Sequence, residues 1–266
     1  MSGERAFVAI ILTLVVACMP IITCNNVFAE EGQAKEEKKI FFSLGLKSRI
    51  YNWKIEQKQY GTLGRIFDSG KTIEEIDSSS GISLGPEAEL FIHWLYIRGF
   101  YLQGDYSFDT GDATRKDTGI DVGFGGMGEK GKAAIFLGWR RMEASFSNWQ
   151  SANIKDHDVS DGVWGVLLGT GDSPGFVGHL EMAFGLKATG DTLSENEDDD
   201  FDDYEKNPFI GEGEIDIGYR FEAIPLAISA GYGIWWYHAE GNKTSNNIER
   251  PENTAHGPTI KISYSF

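Results

Sequence analysis

Cysteine is nearly absent from this sequence, and its two thiols, Cys18 and Cys24, both lie in an apolar stretch near the N-terminus. An excess of positive charge is missing too, because 40 Asp and Glu outnumber 24 Lys and Arg and give a formal net charge of −16. Without a cluster of cations, the chain is not suited to bind nucleic acid. Glycine is abundant, at 33 of 266 residues, but it has no triplet period. Collagen is therefore excluded, and a hydrophobic content of 41% excludes disorder and coiled coil.

The N-terminal segment, residues 1–29, predicts a cleavable signal peptide. Arg5 precedes an apolar run, and the residues ending at Ala29 supply the small side chains that a signal peptidase recognises. Two alternatives stay open. The apolar run is of borderline length for a transmembrane anchor, and the residues before Cys18 resemble a lipoprotein signal. Cleavage after Ala29 would leave a mature chain without disulfides or Cys-ligated metals, beginning with a charged periplasmic lead-in at 30–38.

The rest of the chain alternates between apolar and polar residues, which predicts β-strands with one apolar face. In the first segment the even positions from Ile40 to Leu46 are apolar, whereas Lys47 and Arg49 occupy odd positions. Ten segments have this pattern and about the 9–11 residues that a tilted strand needs to cross a membrane. Their spans are 39–55, 82–93, 96–108, 118–127, 132–146, 161–170, 176–188, 209–221, 226–237 and 257–266.

The connections between these segments are long and short in turn. The long, polar ones follow the odd-numbered segments and cover 56–81, 109–117, 147–160, 189–207 and 238–256. An antiparallel up-and-down sheet then has all its long connections at one end and both termini at the other, as in bacterial outer-membrane barrels. The sequence therefore predicts an all-β fold, a transmembrane antiparallel up-and-down β-barrel of about ten strands, over residues 39–266.

The alternation alone does not say which face lines the interior, because a soluble lipocalin-like barrel would bury the aliphatic face. In a membrane, lipid contact would cost Lys47 or Arg49 about 2–4 kcal/mol near the midplane, so the ionic face must point inward. The predicted polar network of the lumen is Lys47, Arg49, Glu87, Glu89, Asp105, Asp121, Arg140, Glu181, Lys187, Glu212, Glu214, Asp216, Arg220 and Lys261. Aromatic residues near strand ends predict interfacial girdles, formed by Tyr51, Trp53, Trp94, Trp235, Trp236 and Tyr237.

The chain ends Ile260-Lys261-Ile262-Ser263-Tyr264-Ser265-Phe266, with aliphatic or aromatic residues at alternate positions and Phe as the last residue. This ending resembles the terminal strand of the small outer-membrane β-barrel proteins of Gram-negative bacteria. As a pattern, the likeness covers residues 39–266, and no longer motif identifies a subfamily. The resemblance implies an outer-membrane location, contact with lipid and lipopolysaccharide, and recognition of Tyr264 and Phe266 by the outer-membrane assembly machinery.

The strand number bears on function. Eight strands leave an interior that side chains fill, whereas barrels of 16–18 strands enclose an aqueous channel. About ten strands therefore predict a mostly closed lumen held by salt bridges. The main functional prediction is a structural or interaction protein that binds extracellular ligands through its loops. A narrow pore for small solutes is the alternative from a different class.

A rim-located hydrolase is a third alternative. Asp156-His157-Asp158 is the one compact Asp/His cluster in the sequence, and outer-membrane proteases of the omptin family also have ten strands and use Asp and His at the extracellular rim. Their paired-aspartate motif has no counterpart here, since Asp109 and Asp112 are wrongly spaced. Three adjacent residues do not by themselves make a positioned acid and base, so we predict that the chain is not an enzyme.

An acidic stretch precedes the eighth strand and could hold a divalent cation that bridges the protein to lipopolysaccharide. The candidate ligands are Asp198, Asp199, Asp200, Asp202 and Asp203. The stretch lacks the glycine that an EF-hand requires at its sixth position, and charge blocks are usually solvated surfaces. The five histidines show no metal-ligand spacing with one another. We therefore predict no resident metal and no cofactor.

Overall fold

The computed structural model describes residues 40–61, 71–128, 130–147, 157–191, 209–238, 243–244 and 247–266. The predictions for the signal peptide, for the lead-in and for the acidic stretch at 198–203 lie outside these residues. In the described part of the chain, no helix has the length and apolar character that a membrane crossing requires.

Within these described ranges, twelve antiparallel strands make up one sheet. They are β1 (Ile40–Gly61), β2 (Lys71–Asp77), β3 (Gly81–Ile92), β4 (Leu95–Phe108), β5 (Gly111–Met127), β6 (Gly131–Ser147), β7 (His157–Thr170), β8 (Gly175–Asp191), β9 (Phe209–Arg220), β10 (Leu226–His238), β11 (Lys243–Thr244) and β12 (Asn247–Ser265). Ten of these strands close a barrel in the order β1-β3-β4-β5-β6-β7-β8-β9-β10-β12, because β12 pairs with both β10 and β1. The predicted fold, a closed up-and-down barrel of ten strands, is confirmed.

Two short strands lie outside the closed ring. β2 pairs with residues Lys54 to Gln59 of β1, past Tyr51, where the pairing of β1 with β3 stops. β11 pairs with the first residues of β12. β1 and β12 stay paired as far as Gly61 and Asn247, so they form a ribbon that extends the barrel wall at its long-loop end. The prediction that residues 238–256 form a loop is wrong for the part in which β12 begins.

The connection predicted at 109–117 is also wrong, because only two residues join β4 to β5. Phe108 pairs with Gly111, and Asp117 pairs with Leu102 well inside the sheet. Polar residues in this part of β5 led to the loop prediction. The outward ones, Asp112, Thr114 and Lys116, lie where the strands continue beyond the lipid and the outer wall meets water, whereas Arg115 and Asp117 are buried inside.

The outer surface carries a band of exposed apolar side chains. Leu137, Ile217 and Phe124 are 62%, 60% and 70% exposed, and exposed apolar side chains also lie on the other barrel strands except β7, whose Val166 packs against Met182 and Phe184. On β1 the outward residues up to Ile50 are apolar except for Ser48, and they are polar from Asn52 onward. A closed barrel with an outward apolar band and its charged side chains inside is the arrangement that a bilayer requires.

The interior is filled in three layers, and β1 shows their order. Phe41 lies at the short-turn end in a cluster with Phe91, Tyr96, Phe136 and Leu167. Lys47 and Arg49 follow in a charged layer. Tyr51, Trp53 and Ile55 then belong to a second apolar cluster at the long-loop end, with Tyr106, Met142, Trp235 and Tyr237.

Four aromatic residues predicted to form girdles therefore fill the lumen instead. Tyr51, Trp53, Trp235 and Tyr237 are at most 4% exposed and point inward. Of the other two, Trp94 is exposed at the short-turn end, where it stacks on Phe124, and Trp236 packs against Phe184 on the outer wall. Nearness to a strand end did not reveal which face a ring occupies.

Candidate functional site: the charged layer of the lumen

The middle layer of the lumen is a network of ion pairs between strands on different sides of the barrel. Arg98 on β4 binds Asp121 on the neighbouring β5, with Nε to Oδ2 at 2.9 Å, and makes a bidentate pair with Glu181 on β8. Arg140 on β6 reaches Asp121 at 2.6 Å and Glu212 at 2.9 Å. The network therefore ties β4, β5, β6, β8 and β9 together across the interior.

A second set of pairs links β1 to the rest of this layer. Lys47 Nζ lies 2.6 Å from Glu214, and Arg49 forms a hydrogen bond with Glu212. Lys261 on β12 donates to Glu87 on β3. Because unpaired buried charges are costly, such pairing is what allows an ionic layer to exist in an enclosed interior.

One aromatic ring sits among the arginines. The guanidinium carbons of Arg49, Arg98 and Arg140 lie 5.6, 5.4 and 5.1 Å from the centroid of the Phe100 ring. Phe100 in turn covers the backbone of Gly119, where a Cβ would lie 2.4 Å from the ring. The ring fills space that would otherwise hold water and offers its electron-rich face to three cations.

Most residues of the predicted network line the lumen. Those in the interior are Lys47, Arg49, Glu87, Glu89, Asp121, Arg140, Glu181, Glu212, Glu214, Asp216 and Lys261, with Arg220 at its short-turn end. The side chain of Lys187 lies outside the described residues. Glu89 is paired with Lys132, at 2.5 Å, a cation that was not in the predicted set.

The prediction that Asp105 lines the lumen is wrong. It points to the outside of the barrel, where it accepts a hydrogen bond from Thr114 at 2.8 Å. On β4 the inward positions are instead Arg98, Phe100, Leu102 and Tyr106. Asp105 belongs to the part of the wall beyond the lipid, where polar residues face outward.

Two interior arginines were missed. Arg98 is at an even position of β4 and Asp105 at an odd one, so their side chains lie on opposite faces of the strand. The prediction that placed Asp105 inside the barrel therefore did not include Arg98. Arg115 fell in the wrongly predicted loop at 109–117. Its side chain is fully buried, donates to Asp117 at 2.9 Å and lies 4.2 Å from the centroid of the Trp235 ring. No period-two ionic pattern marks Arg98, because its same-face neighbours Tyr96 and Phe100 are aromatic, whereas Arg115 alternates with Asp117 inside the segment that was predicted to be a loop.

Three side chains in this layer could in principle offer ligands to a metal ion. In the described residues, ligand atoms of His179, Glu214 and Asp216 lie within 4.8 Å of one another. Each is already engaged: Asp216 faces His179 at 3.2 Å and accepts from Thr259 at 2.6 Å, while Glu214 pairs with Lys47. A metal would have to displace these contacts, so we interpret the group as part of the ionic layer.

The remaining predicted sites are placed only in part. Tyr264 and Phe266 are exposed on the outer face of β12, where Phe266 also stacks on Phe42. Asp156 and the side chains of His157 and Asp158 lie outside the described residues, as do the five candidate aspartates of the acidic stretch.

Comparison with known proteins supports the fold alone. No family model and no curated protein matches the chain. The outer membrane protease OmpT from Escherichia coli superposes with a TM-score of 0.51 at 8% identity, over 89% of this chain and 99% of that one. Neisserial surface protein A matches with a TM-score of 0.31 at 11% identity, over 87% and 100% of the two chains. The transport unit of the autotransporter AIDA-I from Escherichia coli matches with a TM-score of 0.34 at 13% identity, over 94% and 97%.

Proposed function

We propose that this outer-membrane β-barrel is a closed scaffold that displays its long-loop end for binding at the cell surface, rather than a channel. The observation that supports this proposal is the filling of the lumen by two apolar layers with an ion-paired layer between them. A cavity beside Arg49, Arg140 and Glu212 measures only about 10 Å³. That is about the space that one water molecule needs, so it offers no route for a solute.

Conductance measurements test the proposal. The folded protein in a planar bilayer should show no stable openings in the nanosiemens range, whereas a 16-stranded porin in the same bilayer serves as the positive control. Frequent, stable openings of that size would mean that the interior layers do not block the barrel, and the narrow-pore alternative would replace the scaffold.

We also propose that the outer wall above the lipid band contacts lipopolysaccharide. Lys116 and Arg141 lie there on neighbouring strands, with side chains 43% and 41% exposed, and share Glu143 as their carboxylate partner. Exposed cations on adjacent strands are suited to contact an anionic headgroup. Replacing both cations with glutamine should weaken the co-purification of lipopolysaccharide with the barrel.

We further propose that the chain does not cleave peptides. The likeness to OmpT is a likeness of fold, and activity depends on a positioned site rather than on the fold. A peptide-cleavage assay on the wild type and on His157→Ala distinguishes the two possibilities. Cleavage by the wild type that the variant loses would make the chain a hydrolase.

A further inference from the structure

A cavity of about 210 Å³ lies at the short-turn end of the barrel, between the turn that joins β7 to β8 and the turn that joins β9 to β10. It is lined by Phe41, Asp172, Arg220, Glu222 and Ile224 among others. Pockets for drug-sized ligands measure about 300–1,000 Å³. This cavity is therefore suited to a smaller guest, about the size of one amino acid.

The walls contain buried donors that lack acceptors. Arg220 is only 9% exposed, yet its Nε and Nη1 atoms have no hydrogen-bond partner among the described residues. The hydroxyl of Ser265, which also lines the cavity, is buried and has no partner in the same part of the chain. Leaving a buried polar group unsatisfied costs about 1–3 kcal/mol, and more when the group is charged. These donors point to an anionic guest that supplies oxygen acceptors.

The turn that carries part of the lining is held in place before any ligand arrives. Phe221 donates its backbone N–H to Leu226 at 2.9 Å, and the backbone N–H of Ser265 donates to Pro225 at 2.9 Å. These bonds fix the β9–β10 turn against the last strand. The cavity is therefore largely preformed, which lowers the entropy cost of binding.

The other lining residues restrict the chemistry of the guest. Phe41 and Ile224 provide an apolar wall, whereas Asp172 and Glu222 bring two carboxylates to the same cavity. A compact multivalent anion such as phosphate would be repelled by these carboxylates. A single carboxylate attached to an apolar side chain, with a neighbouring N–H group for Asp172 or Glu222, matches both kinds of wall.

We propose that this cavity binds the carboxylate of an amino-acid-sized ligand with an apolar side chain, held by the guanidinium of Arg220 and the hydroxyl of Ser265. Free amino acids and the C-terminal residue of a polypeptide both carry this group. Because short turns of outer-membrane barrels face the periplasm, either source approaches from that compartment. The inference does not depend on what the opposite end of the barrel binds.

Calorimetric titration of the full chain, folded in detergent micelles, tests the proposal. N-acetyl-leucine should bind at least about ten-fold more tightly than N-acetyl-leucinamide, because hydrogen bonds to a charged group contribute about 1.5–3 kcal/mol. Arg220→Gln should weaken the binding of N-acetyl-leucine by a similar factor, whereas the matched control Arg141→Gln, at the opposite end, should leave it unchanged. Equal affinity for the carboxylate and the amide, unchanged binding by Arg220→Gln, or no binding to the wild type would overturn the proposal.

Two further arms complete the experiment. Ala223→Trp, in the exposed turn, should abolish binding by filling the cavity while the barrel stays folded, so the proposal remains testable if Arg220→Gln does not fold. Retained binding in Ala223→Trp would contradict the assigned site. Stronger binding of free leucine than of N-acetyl-leucine would identify a free amino acid as the ligand, and the reverse order would identify a polypeptide C-terminus.

Discussion

The ion-pair network of the lumen depends on individual residues, and Arg98 shows this most clearly. It neutralises two carboxylates at once, Asp121 beside it and Glu181 on the far wall, while its own side chain is almost completely buried. Removing it would take away the bidentate partner of Glu181 and leave Arg140 as the remaining arginine beside both acids. The stability of the barrel should therefore depend far more on Arg98 than on an arginine at the surface.

Arg98→Met should lower the free energy of unfolding by about 3–5 kcal/mol, the usual cost of breaking a buried ion pair by deleting one partner. Arg141→Met, which removes the outer-surface pair with Glu143, should change it by no more than about 1 kcal/mol. Urea titration of the detergent-folded chain, followed by tryptophan fluorescence, measures both. Equal losses in the two variants would show that the network adds nothing beyond surface pairing.

Residue-level prediction from sequence placed most of the ionic layer in the lumen, but it missed Arg98 and Arg115 and assigned interior aromatic rings to the interfaces. Lys47 and Arg49 could be assigned because charges next to lipid are expensive, which leaves the interior as the one place for them. Asp105 and Arg98 were misassigned because β4 crosses from lipid into water along its length. Beyond the lipid the energetic argument no longer applies, and polar residues return to the outer face.

At the scale of elements, adjacent strands fit together by placing rings over glycines. The Phe136 ring on β6 lies against Gly165 on β7, where a Cβ would come within 2.3 Å of the ring. Gly81 on β3 and Tyr106 on β4 repeat the arrangement elsewhere in the lumen. Each glycine lets a bulky side chain lie flat on the neighbouring strand, so the interior is filled without widening the barrel.

Gly165→Val should therefore destabilise the barrel by about 1–3 kcal/mol, the usual cost of overpacking a filled core. Gly126 on β5 is the matched control, because a Cβ there would meet no atom within 4 Å. Gly126→Ala should leave the free energy of unfolding nearly unchanged. If Gly165→Val were equally harmless, the rings would have room to move and the filling of the lumen would be looser than described.

The lipid-facing part of each strand can be tested in the same way. Ile217→Lys places a charge in the exposed apolar band and should cost about 2–4 kcal/mol if the position lies near the bilayer midplane. Asp105→Lys, on the outer wall beyond the lipid, should change stability by only about 0.5 kcal/mol. Unfolding in phospholipid vesicles measures both, and a large loss for Asp105→Lys would place the membrane boundary higher than we infer.

Strand positions were largely predictable, because period-two alternation is strong wherever one face meets lipid. The segment predicted at 132–146 is observed at Gly131–Ser147, and that at 226–237 at Leu226–His238. The exceptions are β1, which continues past 55 to Gly61, and β5 and β12, which begin well before 118 and 257. Their added residues lie beyond the lipid, where both faces tolerate polar side chains and the alternation fades.

For the whole molecule, the orientation in the membrane is the property to test. Single cysteines at Ser107, near the β4–β5 hairpin, and at Glu222, in a short turn, can be introduced into a chain with Cys18 and Cys24 replaced by serine. A membrane-impermeant maleimide should label the first in intact cells. It should label the second only after the outer membrane is permeabilised. The opposite pattern would reverse the barrel.

The ion pairs of the lumen join residues far apart in the chain, and this constrains how the protein is made. Glu212 follows Arg49 by 163 residues, and Lys261 follows Glu87 by 174. An unfinished sheet therefore exposes cations from its first strands whose counter-ions have not yet arrived. Water must hydrate these groups until the last strand docks. Closure of the barrel and the loss of water from its interior then occur in a single late step of biogenesis. A chain that stalls before this step would keep an open sheet with a hydrated inner face.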